Sequence, residues 1–225
     1  MSTLYIVATP IGNLEDITLR AVRILKEADI ILCEDTRQSQ KLLSHLDIHK
    51  QLVSYHQHSG FQREDEIIQY LQDGKTLALV SDGGTPAISD PGGKLVSLVR
   101  EKLGNDVQII PIPGPSAVTA AASAAGLPVS DFLFLGFIPH KKGRNKLFDE
   151  IAESKRSVIF YESPHRIQKS IQQLAERLSP ERKVVVCREL TKKFETITTG
   201  TIEEVGKKVQ NEKPRGEYVV VVEGS

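Results

Sequence analysis

Cysteine is scarce in this sequence: two in 225 residues. Cys33 and Cys187 both lie inside apolar, strand-like runs. That argues against a disulfide framework and predicts two reduced, buried thiols. Charge of either sign is also not in excess, since 29 Lys and Arg balance 29 Asp and Glu. A chain that grips nucleic acid by bulk charge is thereby excluded, and an anionic partner has to be met by local patches. No apolar run approaches the length of a membrane span. The opening residues, MSTLYIVATP, lack the basic start and long apolar stretch of a signal peptide. A cytoplasmic protein without a membrane partner is expected. What the sequence does have is an ordinary globular balance, 40% hydrophobic and 26% charged. Its length suits one large domain or two small ones, with a core that needs no staples.

The first half alternates. Apolar runs at Leu4–Ala8, Asp29–Cys33, Leu52–Tyr55, Leu77–Val80 and Val107–Pro111 are separated by segments of helical spacing. Ile17, Ala21, Ile24, Leu25 and Ala28 mark one such segment, and Ile67, Ile68 and Leu71 another. A third is expected over Lys94–Leu103. The order strand, helix, strand predicts a mostly parallel sheet, and continuous apolar strands imply that both faces are covered. After the proline cluster Pro111, Pro113 and Pro115 comes a small-residue helix, Ser116–Ala125, and the texture changes. Strands at Phe132–Ile138, Ser157–Tyr161, Val184–Arg188, Glu195–Gly200 and Tyr218–Val222 have fewer helices between them. The closeness of the third and fourth favours a hairpin and a mixed sheet. A helix is expected to open at Ser163-Pro164, with Ile167, Ile171, Leu174 and Leu178 on one face. The reading is an α/β chain of two domains, 1–113 and 114–225, with a cofactor cleft between them.

Glycine, proline and polar residues collect where the strands end. ATPIGN follows the first strand, CEDTRQSQ the second, SYHQHSG the third, SDGGTPAISDPG the fourth and PIPGPSA the fifth, while YESPHR follows a strand of the second half. The carboxyl ends of parallel strands are where open sheets bind ligands. SDGGTPAISDPG invites a phosphate cradle, but Gly93-Lys94 is followed by Leu95 rather than Ser or Thr, so the Walker pattern fails. The first loop carries a single glycine, Gly12, so the dinucleotide fingerprint fails as well. The remaining expectation is a flat ligand lying against backbone, with Gly83, Gly84 and Pro86 providing clearance.

VATPIGNLEDIT, CEDTR, VSDGGTPAISDPG, IPIPGPSAVTAA and FYESPHR, in that order, resemble the tetrapyrrole (corrin/porphyrin) methylase superfamily. They most resemble its ribosomal branch, the 16S rRNA cytidine 2′-O-ribose methyltransferases. The resemblance implies a homodimeric two-domain enzyme that binds S-adenosylmethionine and acts on 16S rRNA or the small ribosomal subunit. It implies cofactor contacts from Pro10, from Asp82, Gly84, Thr85, Pro86 and Ile88, from Pro115, Ser116 and Ala117, and from Tyr161. Thr85 stands where many small-molecule members carry the aspartate of a Gly-Asp-Pro motif, and Asp82 is expected to stand in for it. Members of the ribosomal branch usually continue with a small helical domain beyond the point where this sequence reads EYVVVVEGS. Two other functions stay open on the residues: a methylase of a small tetrapyrrole, and a non-catalytic nucleotide- or RNA-binding module.

Methyl transfer to a ribose hydroxyl calls for alignment and for a base or charge stabiliser. Glu34, Asp35, Arg37, His56, Glu162 and Arg166 are of the right types, and Asp35, Arg37 and Glu162 are taken as the catalytic set. Asp35 and Arg37 could equally form a strand-end ion pair or cap. Glu162 could equally support the helix after it. Arg166 sits in a first helical turn, where a cation opposes the helix dipole, and this points to an anionic partner such as phosphate. His56 and His58 have metal-like spacing, but no cysteine or acidic cluster completes a site, so no metal is expected. His56, the tract HKKGRNK with Lys141, Lys142 and Arg144, and Arg166 are the RNA-binding candidates. Lys192-Lys193 and Lys207-Lys208 read as ordinary surface.

Overall fold

The computed structural model describes residues 2–225. The chain divides into two compact units, Met1–Ser116 and Ala117–Ser225. In the first unit, β1 (Ser2–Val7), β2 (Ile30–Cys33), β3 (Gln51–Ser54), β4 (Thr76–Leu79) and β5 (Val107–Ile112) form one sheet in the order β3-β2-β4-β1-β5. Every pairing in it is parallel. The crossovers are α1 (Leu19–Glu27), α2 (Thr36–His45), α3 (Phe61–Gln72) and α4 (Gly92–Leu103).

The apolar strand runs have a direct cause. Leu4, Ile6, Ile30, Leu32, Leu77 and Leu79 face a core that includes Ile67 and Leu71 of α3 and Leu95 and Val99 of α4. Their neighbours Val7, Ile31, Cys33 and Ala78 face the opposite core, with Ala21, Ile24 and Leu25 of α1 and Leu43 of α2. Side chains alternate, both faces are covered, and the central strands therefore read as mostly continuous apolar sequence.

This arrangement also sets a topological switch at β4. β4 lies between β1 and β2, yet its helix α4 crosses on one face while α1 and α2 cross on the other. The crossovers that leave β4 and its two neighbours therefore diverge to opposite faces, the topological condition for ligand binding at the carboxyl edge of an open sheet.

The second unit holds α5 (Ala117–Ala124), β6 (Phe132–Phe137), α6 (Arg144–Glu153), β7 (Ser157–Glu162), α7 (Ile167–Ala175), β8 (Lys183–Arg188), β9 (Thr196–Thr201), α8 (Ile202–Asn211) and β10 (Tyr218–Val222). Its sheet runs β6-β7-β10-β8-β9. Only β6 and β7 pair in parallel, and β8 and β9 form the expected antiparallel pair. Phe148 and Ile151 of α6, Ile167, Ile171 and Leu174 of α7, and Ile202, Val205 and Val209 of α8 bury one face with Val158, Phe160, Val184, Val186 and Val220.

Two local expectations need correction. α7 begins at Ile167, three residues after Pro164, because Ser163–Arg166 first closes a turn in which Ser163 O accepts from the N–H groups of Arg166 and Ile167. The second unit is also richer in helix than its sequence suggests. α8 is fixed by a capping box, with Thr201 Oγ1 accepting from Glu204 N and Glu204 Oε2 accepting from Thr201 N. No helix among the described residues is long and apolar enough to cross a membrane.

Candidate active site

Four of the five strand-end loops of the first unit are tied to one another. Thr9 and Gly84 exchange two backbone hydrogen bonds, each 2.9 Å, which join the loop after β1 to the loop after β4. Buried Thr9 also donates its hydroxyl to Ser81 O at 3.3 Å. Thr85 Oγ1 donates to Pro115 O at 3.1 Å, fastening the loop after β4 to the one after β5. Asp82 Oδ1 accepts from Asp35 N at 3.2 Å and reaches the loop after β2. Pro10, Asp35, Asp82, Gly84, Thr85 and Pro115, all picked out in the sequence, are thus brought together.

The glycines have a different role from the expected one. A Cβ on Gly83 would stand 3.2 Å from Pro10 O, and one on Gly84 would stand 3.3 Å from a methyl of Ile11. At Gly114 it would stand 3.0 Å from Ala8 Cβ. These glycines let the strand-end loops approach each other rather than opening space for a ligand. Gly84 is also at φ 88°, where glycine carries no steric penalty. Beyond it the loop is bent through two non-glycine left-handed residues, Ala87 at φ 72° and Ser89 at φ 67°. Such residues cost roughly 1–2 kcal/mol each and persist where surroundings hold them. Asp90 does the holding: its Oδ1 accepts from Ala87 N at 2.9 Å and from Gly92 N at 2.7 Å. Between the two bent residues stands Ile88, 44% exposed. Its peptide N–H has no acceptor among the described residues. Pro86 is buried beneath the loop.

Asp35 is the N-cap of α2 and Arg37 its partner, with hydrogen bonds of 2.8 Å from Arg37 N and 2.7 and 3.1 Å from the guanidinium. The Arg37 side chain holds the Asp35 carboxyl down at about 2. The neighbouring Glu34 moves the other way. Desolvation, then the charges of Asp82 and Asp90, push its carboxyl up, against a smaller lowering by His56. Asp82 is also pushed up, by desolvation and by the Asp35 charge, although the Asp35 N–H opposes this. Glu34 was weighed in the sequence but not placed in the catalytic set; its position on a strand end was the available signal. His56 is exposed, and its Nδ1 accepts from His58 N at 3.2 Å.

The remaining candidates lie in the second unit, and for several the expectation changes. Glu162 is 1% exposed. It accepts from Ser170 Oγ at 2.6 Å and Ser163 N at 2.8 Å, and pairs with Arg166 at 2.8 Å and Arg144 at 3.4 Å. A carboxylate enclosed by four donors holds the end of β7 to α6 and α7 and has no oxygen left for a substrate. Glu162 therefore leaves the catalytic set. Arg144, expected on RNA, is 5% exposed, and it also bonds Gln173, Pro139 O and Ser170. Arg166 gives its guanidinium to Glu162, Ser163 Oγ and Ile138 O. The anion that its awkward helical position called for is Glu162 rather than a phosphate. Ser170 was missed. Its signal was a lone serine in the apolar stripe Ile167, Ile171, Leu174. Lys141 and Lys142 remain exposed. Tyr161 packs edge-on to Phe134 and tilted to Phe137, with ring centres 5.0 and 5.2 Å away. Pro115 and Ser116 close the first unit, and Ala117 opens the second.

Strand-end loops gathered at the carboxyl edge of a parallel sheet, followed by a mixed-sheet unit, are the architecture of a known class of methyl-transferring enzymes. The family Tetrapyrrole (Corrin/Porphyrin) Methylases matches residues 3–206, and the chain belongs to that family. Among its relatives is the "Ribosomal RNA small subunit methyltransferase I" of Halalkalibacterium halodurans, 48% identical over 99% of this chain and 76% of the relative. The proteins of the same name from Neisseria meningitidis serogroup B and Bacillus subtilis are 48% and 43% identical, over 98% and 100% of this chain and 75% and 76% of theirs. Solved structures share the fold at lower identity. A uroporphyrin-III C-methyltransferase from Thermus thermophilus superposes with a TM-score of 0.68 at 18% identity, over 98% of this chain and 97% of that one. A cobalamin biosynthetic enzyme, cobalt precorrin-4 methyltransferase, gives 0.68 at 20% identity, over 98% and 94%.

Proposed function

We propose that this chain transfers a methyl group from S-adenosylmethionine to the ribose 2′-hydroxyl of a cytidine in 16S rRNA, and that it does so as a cytoplasmic homodimer. The observation that carries the reading is the identity of 43–48% to proteins named for small-subunit ribosomal RNA methylation, over nearly the whole chain. The tetrapyrrole alternative is not favoured, because the structures named for that chemistry share only 18–20% of residues.

The residues present fit the proposed cofactor. The Ile88 N–H has no acceptor among the described residues and suits a carboxylate or ring nitrogen, while the exposed Ile88 side chain offers an apolar surface. Glu34, Asp35 and Asp82 supply negative charge suited to a sulfonium and an ammonium. Thr85, Pro86, Pro115, Ser116 and Pro10 complete the proposed contacts of the first unit. When bound, S-adenosylmethionine supplies an electrophilic methyl group carried on sulfur.

Asp35, held ionised at about 2, is a weak proton acceptor and serves with Arg37 as a fixed charge pair. Glu34, whose carboxyl is raised by desolvation and by the charges of Asp82 and Asp90, is a better-matched proton acceptor than Asp35 for the attacking hydroxyl. His56, Lys141 and Lys142 are proposed to meet RNA. The test is transfer of labelled methyl to isolated small subunits, naked 16S rRNA and a tetrapyrrole. Label in the ribosomal substrates alone supports the reading. Label in the tetrapyrrole alone overturns it.

A further inference from the structure

Residues Glu189–Glu195, ELTKKFE, join β8 to β9 in a turn that holds unusual strain. Glu189 and Thr191 both have positive φ, 51° and 66°. For a β-branched threonine this is a genuine outlier, and such outliers persist only where neighbours over-determine them. The neighbours here do so. Glu189 N donates to Glu217 O, and Glu189 Oε1 accepts from Glu217 N, both at 2.9 Å. Lys192 Nζ bridges Glu189 and Glu217 at 2.9 and 2.8 Å. Thr191 N donates to Glu195 Oε2 at 2.5 Å, and Glu195 N donates to Lys192 O at 3.0 Å. Gly216 lies so close to the Glu189 side chain that no Cβ fits there. Thr191 Oγ1 is enclosed with no hydrogen-bond partner.

This rigid turn buries little of what it carries. Phe194 is 67% exposed, and the Lys193 ammonium stands 5.7 Å from the centre of its ring. Lys193, Lys213 and Arg215 are exposed, and none has an ion pair among the described residues. The segment of Arg215 is tied next to this turn, since Arg215 O accepts from Arg188 Nε at the end of β8 at 2.9 Å. An exposed aromatic ring beside the Lys193 ammonium, with Lys213 and Arg215 on the segment that Glu217 ties to the same turn, suits single-stranded nucleic acid, with bases on the ring and phosphates on the cations.

We propose that the 189–195 turn is a stacking platform for an unpaired base of the RNA substrate, with Phe194 under the base and Lys193, Lys213 and Arg215 toward the flanking phosphates. This rests on the RNA methylation proposed above and adds a positioning element to it. The sequence contains no tryptophan, so Phe194→Trp creates a single fluorescent reporter. Its emission should be quenched saturably by 16S rRNA and by a single-stranded oligonucleotide, and less so as salt rises. Phe194→Ala should raise KM for small subunits about tenfold or more, with the S-adenosylmethionine Kd and the melting temperature unchanged, and Phe194→Tyr should restore KM. Unchanged emission at saturating RNA, or an unchanged KM for Phe194→Ala, overturns the platform. A smaller oligomer for Phe194→Ala with unchanged KM also overturns it and makes the ring a contact between copies. Should the wild type methylate no RNA, the functional reading fails separately, and the tryptophan titration still decides whether the turn binds RNA.

Discussion

Replacing Glu162 by glutamine should unfold the chain more easily without stopping its chemistry. Glutamine keeps the shape of the side chain and removes its charge. The side chains of Arg144 and Arg166, 6% and 15% exposed, would then share an enclosed space with no carboxylate between them. Breaking a buried ion cluster by removing one partner costs about 3–5 kcal/mol, because the remaining charges stay desolvated. For a chain of this size about 2–4 °C of melting temperature is lost per kcal/mol, so a fall of roughly 6–20 °C is expected. Calorimetry and urea titration measure the stability. Methyl transfer per folded molecule, well below the lowered transition, should stay within about twofold of wild type, on the argument that a carboxylate with four donors contributes no group to the reaction. A variant that melts with the wild type but loses transfer would refute this reasoning and return Glu162 to the catalytic set.

Gly92→Ala should destabilise by about 1–3 kcal/mol and weaken cofactor binding in calorimetric titration, since the new Cβ would stand 2.8 Å from Asp90 Oδ1 and 2.9 Å from Ala87 N. Gly93→Ala, whose Cβ meets nothing nearer than 3.8 Å, should be tolerated in the same titration. Burial pushes the Cys187 thiol up to about 11 and also raises Cys33, so neither should react with a thiol reagent in native protein at pH 8, and labelling should track unfolding. The Asp35 carboxyl is depressed to about 2, so the contribution of its pair with Arg37 is present above pH 4 and fades as pH falls toward 2. The pair is exposed, so added salt should erase most of the difference between wild type and Asp35→Asn in acid titrations. Glu34 is raised instead, and Glu34→Gln should flatten the acidic limb of the kcat profile.

The strands were legible because their physical cause is simple: two covered faces leave long apolar runs in β1, β2 and β4, with polar residues only at the starts of β1 and β4. Helices were harder. In α2, TRQSQKLLSH, only Ser39 and Leu43 are buried, so the apolar period is almost absent and the Asp35 cap was the sole strong signal. α8 could have been read, since Ile202, Val205 and Val209 follow a Thr-x-x-Glu capping box. The strand-end loops were found by composition, but composition could not say what the glycines face. Gly83, Gly84 and Gly114 answer to Pro10, Ile11 and Ala8, residues at least 70 positions away in sequence. Arg166 illustrates the same limit. Its place beside a helix start pointed to an anion such as phosphate, whereas the carboxylate it meets is Glu162, four residues back and folded inward where sequence spacing alone does not place it. Strain at Glu189 and Thr191 left no trace in the sequence, because neither residue type announces a left-handed backbone.

The most direct test of the account is the chemical form of the product. Small subunits methylated by the pure protein with labelled S-adenosylmethionine would be hydrolysed in alkali and the labelled fragment identified by mass. A methylated 2′-oxygen blocks cleavage at its own phosphate, so the account predicts label in an alkali-resistant dinucleotide that begins with cytidine. Label recovered in a free mononucleotide, and so on a base, or no label in rRNA at all, would contradict it.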